Sequence, residues 1–139
     1  MTNIAIALSE FIPKVSEGLL SGCNQALLDK GVHNRNITIL RVPGSFELPA
    51  ATARLSKHEG VDAVIALGVV VKGETDHYHY ISQAVTQGLM QVALQSSVPV
   101  MFGVLTCPTM ELAIARSEPQ GRHNKGYEVG IAAMDMLNQ

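Results

Sequence analysis

The order of apolar runs and amphipathic segments predicts a single α/β domain, a three-layer α/β/α sandwich in which helices cover both faces of a four-stranded parallel sheet. Three observations lead there. Four runs rich in Ile and Val, at about 3–8, 36–42, 62–71 and 98–105, are nearly continuous rather than alternating, as strands buried on both faces are. The segments between them carry helical spacing. The connections are short, and nothing in the 139 residues reads as a linker, a low-complexity segment or a repeat, so one domain is expected over 1–139.

Each element has its own signals. The first run, Asn3 to Leu8, is too short for the apolar stretch of a secretion signal followed by a cleavage site. In the segment after it, Val15, Leu19, Gly22, Cys23, Ala26 and Leu27 fall on one helical face, and Gly31 stands where that helix should stop. After the second run, Pro49 suits the first turn of a second helix. After the third, Ile81, Ala84, Val85, Gly88, Leu89, Val92 and Ala93 recur at helical intervals. Pro99 opens the fourth run, a position a strand tolerates. Pro119 and Gly121 break the chain between two helices. In the last of them Gly126, Val129, Gly130, Ala133, Met134 and Leu137 share a face.

Composition narrows the function. Apolar residues make up 47% and charged residues 16%, which leaves room for a buried subunit interface. A formal charge of −2 provides no general basic field for nucleic acid or a membrane surface. No stretch approaches the length of a membrane span. Cys23 and Cys107 lack paired spacing and read as free, buried thiols, so a cytoplasmic protein is expected.

In a parallel sheet of this kind ligands bind beyond the carboxyl ends of the strands, and the unusual residues gather there. Ser9-Glu10-Phe11 follows the first run, Pro43 to Pro49 the second, and Lys72-Gly73-Glu74-Thr75-Asp76-His77 the third. Phe102-Gly103 and Thr106 to Thr109 lie toward the end of the fourth, so Phe11, Phe46 and Phe102 are all expected at one edge. Gly73 permits a sharp turn, and Thr75 or Asp76 can cap the next helix. That helix start suits a phosphate or simply an ordinary cap. His77 falls in the first turn, where the dipole favours a neutral ring while Glu74 and Asp76 favour a charged one. It is a structural residue or a general base. His79 faces away from it, and His33, His58 and His123 add no ligand spacing, so no metal is expected. Glu47 either complements the second helix dipole or accepts hydrogen bonds from a ligand. Phe11 either plugs the core or stacks on a flat ring. Arg116 could clamp a phosphate, and Lys125 opens the last helix, where a cation needs an anion or a partner.

Taken together, these residues resemble the lumazine synthases. Val42-Pro43-Gly44-Ser45-Phe46-Glu47-Leu48-Pro49 is similar to one motif of that family, and Gly68 to Tyr78, with Lys72-Gly73-Glu74-Thr75-Asp76-His77 at its centre, to a second. Pro99 to Thr106 and Asn124-Lys125-Gly126 match in the right order, so the resemblance runs from about Ile4 to Leu137. It implies a flavodoxin-like fold. It also implies a condensation of 5-amino-6-(ribitylamino)uracil with 3,4-dihydroxy-2-butanone 4-phosphate, without metal or organic cofactor. Carried over by position, Phe11 stacks on the pyrimidine, and Ser45, Phe46 and Glu47 hold the ring and ribityl chain. Val70 and Val71 read the pyrimidine through their backbones, with Lys72 beside them. Gly73, Glu74, Thr75 and Arg116 bind phosphate, and His77 moves protons. Phe102 and Lys125 come from a neighbouring subunit.

Glu74 and Asp76 depart from the ideal, because they place negative charge beside a phosphate loop unless they point outward. Family members that form sixty-subunit shells carry an extra leading segment, whereas this sequence opens almost at its first strand. The stretch from Pro119 to His123 is similar to that of members that stop at pentamers. A homopentamer is the expectation, with a decamer or shell as alternatives. A lumazine-binding protein without catalysis, or a purely structural ring, would use the same scaffold but would not need the base, hydroxyl and cation of His77, Thr75 and Arg116.

Overall fold

The computed structural model describes residues 1–121 and 123–139; Arg122, within the 119–123 stretch, lies outside them. The elements run β1 (Ile4–Ser9), α1 (Pro13–Asp29), β2 (Ile37–Val42), α2 (Leu48–Ser56), β3 (Ala63–Val71), α3 (His77–Gln95), β4 (Val100–Cys107), α4 (Met110–Ala115) and α5 (Lys125–Leu137). The four strands form one sheet in the order β2-β1-β3-β4, and every neighbouring pair is parallel. This is the flavodoxin-like arrangement the sequence predicts.

The order explains the layers. From β1 the chain steps outward to β2, then returns past β1 to β3 and on to β4. Right-handed crossovers put the first connection on one face and the next two on the other. Accordingly Val15, Leu19, Cys23 and Leu27 of α1 pack with Ile4, Ile6, Leu8, Ile65 and Leu67. Leu48 and Leu55 of α2 and Val85 and Leu89 of α3 pack with Ala5, Ala7, Val64 and Ala66 on the opposite face. Val129, Ala133 and Met134 bring α5 beside α1. The central strands β1 and β3 are buried almost throughout, whereas β2 and β4 are edges and only partly so.

Glycines set how closely the helices approach. A methyl at Gly130 would lie 2.8 Å from the Ala26 Cβ, and one at Gly126 would overlap the carbonyl of Leu19. Gly88 of α3 does the same against Pro49 of α2, at 2.9 Å. Cys23 lies fully buried in the α1–α5 seam, and burial pushes its thiol up to about 12. Gly31 ends α1 at φ 91°, the left-handed conformation expected of it.

Two expectations shift. The last strand is Val100–Cys107, not 98–105. Ser96 and Val98 form a local turn, the Pro99 carbonyl contributes only an acceptor for Val64 N at 2.9 Å, and pairing continues through Thr106 and Cys107 to Val70 and Val71. The apolar face of α3 is only partly covered, since Val85 and Leu89 alone are buried and Ala84 is exposed.

The α1–α5 seam has no room for a side chain at residue 126. Gly126→Ala is expected to cost roughly 1–3 kcal/mol or more, read as a lower urea midpoint at unchanged slope.

Candidate active site

The strands are parallel, so their carboxyl ends share one edge. Ser9 pairs with Val42 there, and Val71 with Cys107. The chain changes direction across the sheet between β1 and β3, and a crevice forms at such a switch point. Leu8 pairs with Leu67, so β3 runs on past the end of β1 through Val69, Val70 and Val71 and makes one wall of that crevice.

The turn after β2 leans across the end of β1 to reach that wall. Residues Ser45–Glu47 form one 3-10 turn, and the buried Ser45 hydroxyl donates to the Val69 carbonyl at 3.0 Å. Gly68 makes this possible, since a methyl there would lie 2.8 Å from Ser45 Oγ and 3.1 Å from Ser9 Cβ. The turn presents Phe46, 59% exposed, and Glu47 at the crevice. Glu47 precedes α2 rather than opening it, and its carboxylate makes no capping bond.

The loop after β1 is held from below. Phe11 is 57% exposed, which excludes the core plug. Ile12 beside it adopts φ 60°, a left-handed conformation that costs a β-branched residue about 1–3 kcal/mol. Its side chain packs against the core while the chain turns Phe11 outward. Ser16, fully buried on α1, donates to the carbonyls of Ser9 and Phe11, the latter at 3.0 Å, and Phe11 N reaches Ser9 Oγ at 3.4 Å. On the flank Arg41 pairs with Glu17 at 2.7 Å and Glu10 at 3.4 Å, exposed contacts of small net energy.

After β3, Lys72 N donates to the Cys107 carbonyl at 2.9 Å, and the chain then leaves the sheet. Gly73 has nothing within 4 Å of its absent Cβ, and Lys72, Glu74, Thr75, Asp76 and His77 are exposed. Thr75 rather than Asp76 supplies the local cap, its Oγ1 accepting from His77 N at 3.2 Å. His77 stands at the N-terminus of the 19-residue α3, where free N–H groups and the positive dipole end favour an anion.

A cationic corner completes the edge. Arg116 caps the C-terminus of α4. Burial raises the Cys107 thiol and the Arg116 guanidinium opposes the rise, which sets that guanidinium within electrostatic reach of the end of β4. Lys125 N donates to the Arg116 carbonyl at 2.8 Å, so both cations hang on one backbone junction. Glu128 lies 3.9 Å from Lys125 Nζ and provides the compensating anion at this helix start.

Phe102 is a correction. It pairs with Ala66 in the amino half of β4, five residues before Cys107, hence roughly 17 Å from the carboxyl edge at a strand's rise. It is 39% exposed and lines an apolar groove of about 260 Å3 with Leu89, Met90, Ala93, Val100 and Met101. The expectation that three phenylalanines share one edge holds for Phe11 and Phe46 only, because the strand is longer than its apolar run. Sequence does not single out Ser16 or Ile12, and it marks Asn124 only as part of the Asn124-Lys125-Gly126 motif. Of the first two, only Ile12 leaves a signal, since Pro13 restricts the residue before it.

Among the described residues no group of three or more His, Cys, Asp or Glu is placed to hold a metal, and no helix is long and apolar enough to cross a membrane. The edge can therefore offer a flat ring a stacking face, an anion a helix start with cations beside it, and a proton an imidazole.

Comparison with known proteins gives a consistent family. The family model described as 6,7-dimethyl-8-ribityllumazine synthase matches residues 1–139. A protein of that name from Arthrobacter sp. (strain FB24) is 46% identical over 133 residues, 95% of this chain and 80% of that one. One from Levilactobacillus brevis is 44% identical over 136 residues, 98% and 86% of the two chains. One from Coxiella burnetii is 45% identical over 135 residues, 97% and 89%.

The platform under Phe11 yields a stability test. Ser16→Ala leaves buried carbonyl groups short of a donor and should cost roughly 1–3 kcal/mol in urea unfolding. Ser21→Ala, on the exposed side of the same helix, should stay within about 0.5 kcal/mol.

Proposed function

From the premise that the chain belongs to the 6,7-dimethyl-8-ribityllumazine synthase family, transferases of riboflavin biosynthesis, we propose that it condenses 5-amino-6-(ribitylamino)uracil with 3,4-dihydroxy-2-butanone 4-phosphate. The products are 6,7-dimethyl-8-ribityllumazine, phosphate and two waters. The observation that carries this reading is the convergence of Phe11, the Ser45–Glu47 turn and the start of α3 at the β1/β3 switch point.

Phe11 stacks on the pyrimidine, and its exposed ring on a strained, braced loop suits that task. Phe46 and Glu47 hold the ring edge and ribityl hydroxyls. The Ser45 hydroxyl is engaged by Val69, so Ser45 serves through its backbone. Val70 and Val71 offer the pyrimidine their backbone groups, with Lys72 beside them. Phosphate lies on the backbone of Gly73, Glu74 and Thr75 at the α3 N-terminus, with Arg116 as its cation; Glu74 and Asp76 are exposed and need not face it.

The amine attacks the ketone, and loss of water gives an imine. Elimination then breaks the C–O bond to phosphate, and the ribityl-bearing nitrogen closes the ring with loss of the second water. Holding amine and ketone together supplies effective molarity. The helix start and Arg116 stabilise the departing phosphate. His77, the exposed first residue of α3, takes and returns the protons. These steps require no metal or organic cofactor.

The site is shared between chains. On α3 only two of 19 residues are buried, while Tyr80, Met90 and Leu94 are 70%, 59% and 77% exposed. This surface continues into the groove at Phe102 on the open edge of β4. An apolar face of that kind is covered by a second copy, which delivers Phe102 and Lys125 to its neighbour's crevice. The assembly is a homopentamer working in the cytoplasm, with no nucleic-acid or membrane partner.

With both substrates present, lumazine absorbance should appear. His77→Ala should slow its formation by roughly 10–10⁴-fold while leaving the assembly intact; tight lumazine binding without turnover would refute the enzyme. Sedimentation should give a mass near five times 14.9 kDa, and a monomer of full activity would refute the shared site.

A further inference from the structure

We infer that Asn124 is a positioning residue that fixes Arg116, the cation of the phosphate corner, by tying the chain at Glu118 to α1. The inference rests on the reading of Arg116 as the phosphate clamp.

Asn124 is 1% exposed, and its side chain is fully engaged. Oδ1 accepts from Tyr127 N at 2.9 Å and so caps α5. Nδ2 donates to the Gly18 carbonyl of α1 at 3.0 Å and to the Glu118 carbonyl at 2.8 Å. The cap alone would need only an acceptor, and Ser or Asp provides one as well as Asn does. The amide protons are surplus to capping, and both are spent on holding the chain just after Arg116, at Glu118, against α1.

The surroundings are shaped for this. A methyl at Gly22 would overlap the Asn124 amide, and one at Gly18 would overlap the Ser117 carbonyl, so α1 is bare where the segment lies against it. Ser117 is itself buried and donates to Ala113 at 2.8 Å, which anchors the end of α4. Arg116 immediately precedes that anchor and Glu118, and its carbonyl takes the Lys125 N–H. Releasing the Asn124 amide therefore frees Glu118 from α1 and loosens Arg116 two residues before it. A misplacement of about 1 Å at such a clamp can cost a hundredfold.

The experiment is steady-state kinetics on the intact protein, with each substrate varied in turn. Asn124→Ser keeps the cap acceptor and loses both donations. It should raise KM for the phosphate-bearing ketone by roughly ten- to a hundredfold and leave KM for the pyrimidine unchanged. Asn124→Asp, isosteric but facing two carbonyls with an acceptor, should do the same more strongly. If it does not fold, N124S decides. Equal movement of both KM values in the folded N124S protein, or movement of neither, overturns the inference, since loss of mere structural support would not single out one substrate. Arg116→Ala separates the two levels. If it leaves the ketone KM unchanged, the clamp reading fails. If it raises that KM while N124S does not, only the role of Asn124 fails.

Discussion

A parallel sheet must be covered on both faces, because its crossovers place helices there and its strands are apolar throughout. Here the outer layers follow from strand order. One crossover from β1 to β2 puts α1 on one side, and the return through β3 to β4 puts α2 and α3 on the other. The same constraint sends every strand's carboxyl end to one edge. Loops at that edge need contribute nothing to the core, and so they are free to carry chemistry. Phe11, the start of α3 and His77 share that edge because the strands that precede them run the same way.

Freedom at that edge is limited by small, buried polar ties. Ser45 joins the second loop to β3, Ser16 holds the first loop from α1, and Asn124 holds the cationic corner against the same helix. Each is a neutral side chain placed where burial makes its hydrogen bonds specific and an unmade bond costly. Ile12 shows what they offset. A left-handed, β-branched residue before proline persists only where its surroundings hold it, here through a side chain in the core and a braced carbonyl on each side of Phe11. Rigid support with exposed working groups is the division of labour an active site needs.

Sequence carried much of this and missed a definable part. The run Ala63–Val71 and the face Val15, Leu19, Cys23, Leu27 were legible because continuous or periodic apolarity reports burial directly. The turn at Ser45 and the capping of α3 near Thr75 were legible as motifs. Phe102 was misplaced because an apolar run does not mark where a strand stops when Thr106 and Cys107 continue the pairing. The periodicity of α3 was read correctly, yet it could not say whether the core or another chain covers it. Asn124 was legible only as part of a motif, and its tie to α1 was not, because its partner Gly18 lies 106 positions away.

The pairing of α1 with α5 bears on how the chain matures. The helix whose Gly126 and Gly130 close on Leu19 and Ala26 follows all four strands in the chain, so the α1 side stays partly open while the ribosome is still adding residues. The strands can meet before this part of their cover is made. Until α5 is made, the nascent chain exposes the apolar, glycine-bearing face of α1 that this helix covers.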